Sequence, residues 1–212
     1  MTFAQWVLAL LLPLIAYLLG SIPFGLLIAH GIGRLDIRGS GSGNIGATNV
    51  RRTVGTLPAL ATLVGDIGKG FLPVWWAQAL VSPGVSPWAQ GYLAAVGLCA
   101  LAGHLYPVFL KFRTGGKGVA TAAGCLLAVS PGALGVSGLV FVMTACGLNR
   151  VSAASLAATA VMPLAVWIAT GSSALTLWAG VTAAWIWSRH RANIRRLVAG
   201  TEPPIWKSGS DG

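Results

Sequence analysis

The sequence predicts an all-α, polytopic membrane helix bundle of about seven transmembrane helices, with the N-terminus outside and the C-terminus in the cytoplasm. Three observations predict this. Of the 212 residues, 55% are hydrophobic and only 8% are charged, whereas a soluble domain carries roughly 25% charged residues. The apolar residues gather in runs that reach the about 17 to 25 residues needed to cross the hydrocarbon core. Lys and Arg, finally, concentrate in one alternate set of the connecting loops, as they do on the cytoplasmic side of membrane proteins.

Taken in order, the first apolar run extends from Phe3 to about Ile28. No Lys or Arg precedes it, so it lacks the basic leader of a signal peptide and is expected to stay as the first span. Leu57–Val81 is the second, and Trp88–Leu110 follows after the turn SPGVSP. Val119–Leu148 is too long for one upright helix and divides at Ser130–Gly132, because Pro and Gly end helices. The run after Arg150 divides likewise at TGSS, into Val151–Ala169 and Ala174–Trp187. Threading seven spans from outside puts Arg34, Arg38, Arg51, Arg52, Lys111, Arg113, Lys117, Arg150 and every basic residue from Arg189 onward inside. A five-span alternative would leave Arg150 outside. Trp75, Trp76, Trp88, Trp185, Trp187 and Trp206 fall near the proposed boundaries, where amphipathic rings settle. A chain of this length makes one domain: residues 1–199 form the membrane domain and 200–212 a short polar cytoplasmic tail.

The net charge is +10, from 14 Lys and Arg against four carboxylates. Such an excess suits anionic lipid headgroups or an anionic substrate. Nucleic acid is excluded as a partner, since the basic residues are scattered among membrane segments and form no stripe. Cys99, Cys125 and Cys146 lie inside apolar runs without ligand spacing and read as packing residues. No metal or cofactor is implied. Metal-dependent phosphoryl transfer uses carboxylates to hold Mg²⁺, and only Asp36 and Glu202 lie on the inner side near the polar motifs. A Ser-His-Asp hydrolase lacks an acid placed to orient His190.

Three inner segments remain as carriers of chemistry. The first, RGSGSGNIGATNVRR (Arg38–Arg52), is rich in Gly, Ser and Asn and flanked by Arg. Such a loop can aim backbone N–H groups and hydroxyls at a phosphate, although its composition equally suits a flexible linker. The second, GHLYPVFLKFRTGGKGVAT (Gly103–Thr121), sets Gly115-Gly116-Lys117-Gly118 at the opening of a span, where free N–H groups beside a Lys favour anions. It is not a nucleotide-binding P-loop, because the GxxxxGK[ST] spacing fails. His104 reads first as a satisfied structural histidine. The third, WSRHRANIRRLVAGTEP (Trp187–Pro203), puts His190 and Asn193 on one side of a continuing helix; a basic anchor on anionic lipid explains its Arg residues but not that pair. Asn149-Arg150-Val151-Ser152 is one more polar corner. Asp66 and Lys69, three apart, read as an intrahelical ion pair, with a functional role open because charges at membrane depth are costly.

GSGNIGATN with an Arg ten residues after its Ser, GHLYPVFLKFRTGGKGVAT, and HRANIRRLVAGTE together resemble the three motifs of the bacterial acyl-phosphate:glycerol-3-phosphate acyltransferases, the PlsY family. The resemblance covers length, span number and motif order. It implies transfer of a fatty acyl group from acyl phosphate to the sn-1 hydroxyl of glycerol 3-phosphate, giving lysophosphatidate, at the cytoplasmic face of the bacterial inner membrane, without a cofactor and as a monomer. Carried over by position, it implies catalytic roles for Ser42, His190 and Asn193. Substrate and phosphate binding fall to Gly43, Asn44, Arg52, Gly115, Gly116, Lys117 and Gly118, and the trailing acid of the third motif to Glu202, which joins Asp66, Lys69 and His104 among the residues read as structural. Ala192 departs from the pattern, where many members carry an acid. The H-x₄-D signature of CoA-dependent glycerolipid acyltransferases is absent after His30, His104 and His190. A transporter of a small anionic solute is the alternative. No internal repeat supports it, and a purely structural membrane subunit would leave the three motifs unexplained.

Overall fold

Among the described residues, proline, glycine and serine punctuate the chain into ten α-helices. The computed structural model describes residues 2–33, 36–81, 86–113 and 115–206. Arg34, Asp211 and most of the predicted SPGVSP turn (Ser82–Val85) lie outside the described residues. In chain order the helices are α1 (Phe3–Gly20), α2 (Phe24–Gly33), α3 (Ala47–Thr53), α4 (Thr56–Val81), α5 (Pro87–Leu105), α6 (Val119–Val129), α7 (Pro131–Leu148), α8 (Val151–Thr170), α9 (Ser173–Arg189) and α10 (Arg191–Val198). Among the described residues there is no strand.

The predicted break at Ser130 is a shared cap. Its extended backbone ends α6, its hydroxyl accepts from Ala133 N at 3.3 Å, and Pro131 opens α7, where a missing N–H costs nothing. Ser172 starts α9 in the same way after Gly171 closes α8 in the left-handed conformation. Two expected spans are corrected. The first run is not one helix to Ile28: it bends by 41° between α1 and α2. Pro23 has no N–H and drives Ile22 out of helical geometry, and Ser21 returns its hydroxyl to Tyr17 O at 2.8 Å. The third run leaves its helix at Leu105, because Pro107 excludes Tyr106 from the helical region (φ −131°, ψ 66°).

Among the described residues, four helices are long and apolar enough to cross a membrane, and a fifth crossing results if the bent α1–α2 pair counts as one. At 11 and 17 residues, α6 and α9 fall short of that length.

The helices meet backbone to backbone at small residues. A Cβ on Gly20 would land on Ala100 O, and one on Gly103 on Tyr17 O, so α1 and α5 touch. Gly70 and Gly124 bring α4 and α6 together in the same way, against Thr121 O and Ile67 O. Such contacts drive helix association where lipid offers no hydrophobic force. The resulting core gathers Leu12, Ala16, Val96, Ala100, Val166 and Trp178. Large apolar side chains instead face outward, Leu10 at 79% exposure and Ile168 at 75%, as lipid-facing helices require.

Candidate active site

The three polar segments converge on one cavity of about 320 Å³. Ser42, Asn44 and Arg52 line it from the first segment, Lys117 and Gly118 from the second, and His190, Asn193 and Glu202 from the third. Asp66 of α4 and His104 of α5 line its deeper part.

In the first segment Asn49 supplies the order. Its Oδ1 accepts from Ser42 N at 2.8 Å, and its Nδ2 donates to Ile37 O and Ser40 O at 3.1 Å each. Gly41 and Gly43 take positive φ in the turn that results, which favours glycine. Asn44 Oδ1 accepts from Gly46 N at 2.9 Å, a side-chain turn leading into α3. The two arginines of α3 then diverge. Arg52 lines the cavity, whereas Arg51 donates to Ile205 O at 2.7 Å. Gly43, expected to bind substrate, serves the turn and does not line the cavity.

The glycine loop also needs correction. Gly115 and Gly116 do not reach the cavity. Gly116 N donates to His104 O at 3.1 Å, and a Cβ on Gly116 would collide with the His104 ring, one on Gly115 with Leu105 O. Arg189 grips the loop from the other side, donating to Gly115 O at 2.9 Å and Gly116 O at 3.3 Å, with its guanidinium over the Tyr106 ring. The loop thereby carries Lys117 and Gly118 to the cavity. Gly118, at φ +88°, is the N-cap of α6 and makes no side-chain cap bond, so the first-turn N–H groups of α6 remain open beside Val119 and Ala120. Beneath the loop, His104 Nδ1 lies 3.1 Å from Thr121 Oγ1 and 3.7 Å from Asp66 Oδ1. Asp66 pairs with Lys69 at 2.8 Å, and Lys69 Nζ donates to Ile22 O, also at 2.8 Å. The expected ion pair therefore supplies a second donor to the Ile22 carbonyl at the break between α1 and α2, where Phe24 N donates at 3.1 Å.

In the third segment His190 Nδ1 donates to Ile186 O at 2.8 Å, since a carbonyl only accepts. The neutral ring then presents Nε2 as an acceptor. Burial pushes the imidazole down to about 4; the Ile186 carbonyl opposes this, Lys117 adds to it and Glu202 opposes it. Asn193 Nδ2 donates to Glu202 Oε1 and Arg196 Nε to Glu202 Oε2, both at 2.6 Å. One amide proton of Asn193 is left for a ligand. Burial works against the Glu202 charge, but the donors of Asn193, Ser152 and Arg196 outweigh it and hold the carboxyl below its ordinary value. Burial lowers Lys117 to about 8; Glu202 counters this, while Arg196 and Arg52 reinforce it. Asp36 is occupied outside the cavity by Arg38, whose bonds hold it at about 2. Cations thus outnumber carboxylates at this end of the site, a balance that calls for an anionic ligand.

The cavity is not polar throughout. Val119, Ala123 and Phe141 line both it and an adjoining apolar slot of about 120 Å³ between α6, α7 and α8. Sequence reasoning missed Asn49, Ser152 and Ser155. The polar corner Asn149–Ser152 was the signal for Ser152, which starts α8, lines the cavity, and has a buried hydroxyl that favours the Glu202 charge without making a full hydrogen bond.

A family model described as glycerol-3-phosphate acyltransferase matches residues 10–200. The chain belongs to this family. Among glycerol-3-phosphate acyltransferases, that of Geotalea daltonii is 46% identical over 187 residues, 88% of this chain and 92% of the relative. The one from Methylorubrum extorquens is 45% identical over 206 residues, 97% of each chain. A crystal structure of PlsY (YgiH), described as an integral membrane glycerol 3-phosphate acyltransferase in its glycerol 3-phosphate form, superposes with a TM-score of 0.86 at 42% identity, covering 93% of this chain and 96% of that one. The lysophosphatidic acid form of PlsY gives a TM-score of 0.83, covering 92% and 94%. The family's integral membrane architecture is therefore also that of this chain.

Proposed function

We propose that this protein transfers a fatty acyl group from acyl phosphate to the sn-1 hydroxyl of glycerol 3-phosphate, giving lysophosphatidate and inorganic phosphate. One observation carries the proposal: a cation-lined pocket opens directly into an apolar slot. The pocket fits the phosphates and the slot fits the acyl chain. The solved relatives in glycerol 3-phosphate and lysophosphatidic acid forms agree with this substrate and product.

Acyl phosphate is a mixed anhydride with a good leaving group. The site has to align the hydroxyl with the carbonyl carbon and stabilise the oxygen that gains charge. Arg52, Lys117 and the open N–H groups of α6 hold the two phosphates. His190, through its free Nε2, accepts the hydrogen bond of the attacking hydroxyl. With a pKa of about 4 it is a poor final proton acceptor at neutral pH. A phosphate, titrating near about 6, is better, so the hydroxyl proton leaves on the departing phosphate. Asn193 gives its remaining N–H to the developing oxyanion. Ser42, which also lines the cavity, orients the glycerol.

The proposal includes seven crossings, with α6 and α9 as the short ones, the N-terminus outside and the site facing the cytoplasm. It also includes the bacterial inner membrane as location and a monomer as the working unit. Labelled glycerol 3-phosphate and palmitoyl phosphate, supplied to the purified protein in nanodiscs, should yield labelled lysophosphatidate, and EDTA should leave the rate unchanged. Uptake of a small anion into proteoliposomes without product formation would favour a transporter instead. Loss with EDTA that Mg²⁺ restores would refute the metal-free mechanism.

A further inference from the structure

The segment expected to be a tail from Gly200 is bonded back onto the bundle as far as Trp206. Ile205 N donates to both the backbone O and the side-chain Oδ1 of Asn149, at 3.0 Å each. Trp206 N donates to the same Oδ1 at 2.9 Å, and Asn149 Nδ2 returns a bond to Trp206 O at 2.9 Å. The asparagine thus treats residues 205–206 as a strand would treat its neighbour. Arg51 adds the bond to Ile205 O at 2.7 Å.

Asn149 closes α7 in the left-handed conformation, φ 52°, a place where Asn and Gly are both common. Helix termination accounts for its backbone but not for its amide, whose three hydrogen bonds all go to residues 205–206. Between that pin and the site stand Pro203 and Pro204, whose rings fix φ near about −65°. The position of Glu202 therefore follows from where Ile205 is held. Glu202 in turn holds Asn193 and Arg196 through bonds of 2.6 Å, a carboxylate accepting from two donors.

We propose that Asn149, with Arg51 as a second anchor, is a positioning residue for acyl transfer. It acts through Ile205–Trp206 and Glu202 to fix the Asn193 amide against the reacting carbonyl, a role that rests on Asn193 being the oxyanion donor. Asn149 touches no substrate, since it lies outside the cavity lining.

The test compares Asn149→Gly, Asn149→Asp, Asn193→Ala and the double variant Asn149→Gly/Asn193→Ala as full chains in nanodiscs, by steady-state acyl transfer. Asn149→Gly keeps the left-handed turn and loses the clamp. Its kcat should fall about tenfold, the scale of one lost orienting hydrogen bond, while the KM for glycerol 3-phosphate stays within about twofold. Asn149→Asp retains the acceptor and should keep more of the rate. The double variant should be no slower than Asn193→Ala, because the two act on one amide. Full kcat in Asn149→Gly, or losses that multiply in the double variant, would overturn the proposal. If Asn149→Gly does not fold, Arg51→Met, which leaves the end of α7 untouched, should show a kcat loss that does not add to that of Asn193→Ala; full activity there overturns the proposal equally. Full kcat in Asn193→Ala would remove the oxyanion role and this inference together, whereas a slow Asn193→Ala beside a fast Asn149→Gly removes the inference alone.

Discussion

Replacing Gly116 by Ala tests whether the glycine loop is set from behind. A Cβ there would meet the His104 ring at 2.6 Å from Cε1 and 3.0 Å from Cδ2, and closer still at Nε2, where ordinary contact begins at 3.4 Å. The ring would have to withdraw by more than about 0.8 Å, but its hydrogen bond with Thr121 holds it. The alternative is that the loop moves outward and takes Lys117 and Gly118 with it. Overpacking of this kind costs about 1–3 kcal/mol, which corresponds to about 5- to 150-fold in an equilibrium. Because the displaced groups bind phosphate in the ground state and the transition state alike, the loss should appear as a KM for glycerol 3-phosphate raised about tenfold or more, with kcat within about threefold. Asn193→Ala should do the reverse, lowering kcat by about 10² to 10³ with little change in KM. Steady-state kinetics on the two purified variants, after circular dichroism confirms helical folding, decides the matter. The same kinetic defect in both would refute the assignment of separate roles.

Lys117 loses its charge as pH rises through about 8, so kcat/KM for glycerol 3-phosphate should fall above that pH. Bound phosphate keeps the ammonium charged, so the kcat limb should lie higher. Lys117→Arg stays charged and should abolish the limb; a limb that persists in it belongs to another group. In the apolar slot, Ala158→Leu should fill space lined by Leu134, Met162 and Phe141 and shift preference toward shorter acyl phosphates by about 0.8 kcal/mol per excluded methylene. An unchanged ratio of C10 to C16 acyl phosphate use would place the chain elsewhere. For topology, in a variant without native cysteines, Ser86→Cys should label from outside and Ala199→Cys only from inside. Labelling of Ala199→Cys from outside would invert the proposed orientation.

Much of the fold was legible because helix ends depend on local chemistry. Ser130-Pro131 and Gly171-Ser172 act within one turn, so they could be read without tertiary information. The bend at Ser21–Pro23 was hidden because apolar residues continue on both sides of it, and hydropathy does not register a missing N–H. In the site, Ser42, Arg52, Lys117, His190 and Asn193 stood out as polar groups in motif positions. Gly115 and Gly116 were misplaced because a glycine-rich loop has two sides, and only the packing of His104 and Arg189 determines which faces the ligand. Ser155 was invisible for the opposite reason: one serine in an apolar helix gives no signal until α8 is seen to begin at the cavity.

The shortness of α6 has an energetic consequence for the encounter of two unlike substrates. Eleven residues span about 16 Å, roughly half of the about 30 Å hydrocarbon core. Its open end lines the same cavity as Asp66, which is about 15 Å along α4 from Thr56. Lifting a fatty chain into water would cost about 0.8 kcal/mol per methylene, more than 10 kcal/mol for a typical chain. A small, charged glycerol phosphate can descend through a polar well that already matches its charge. In the proposed reaction, with α6 as a short crossing, its open end would bring the soluble reactant down to the oily one, and neither would have to leave the phase in which it dissolves.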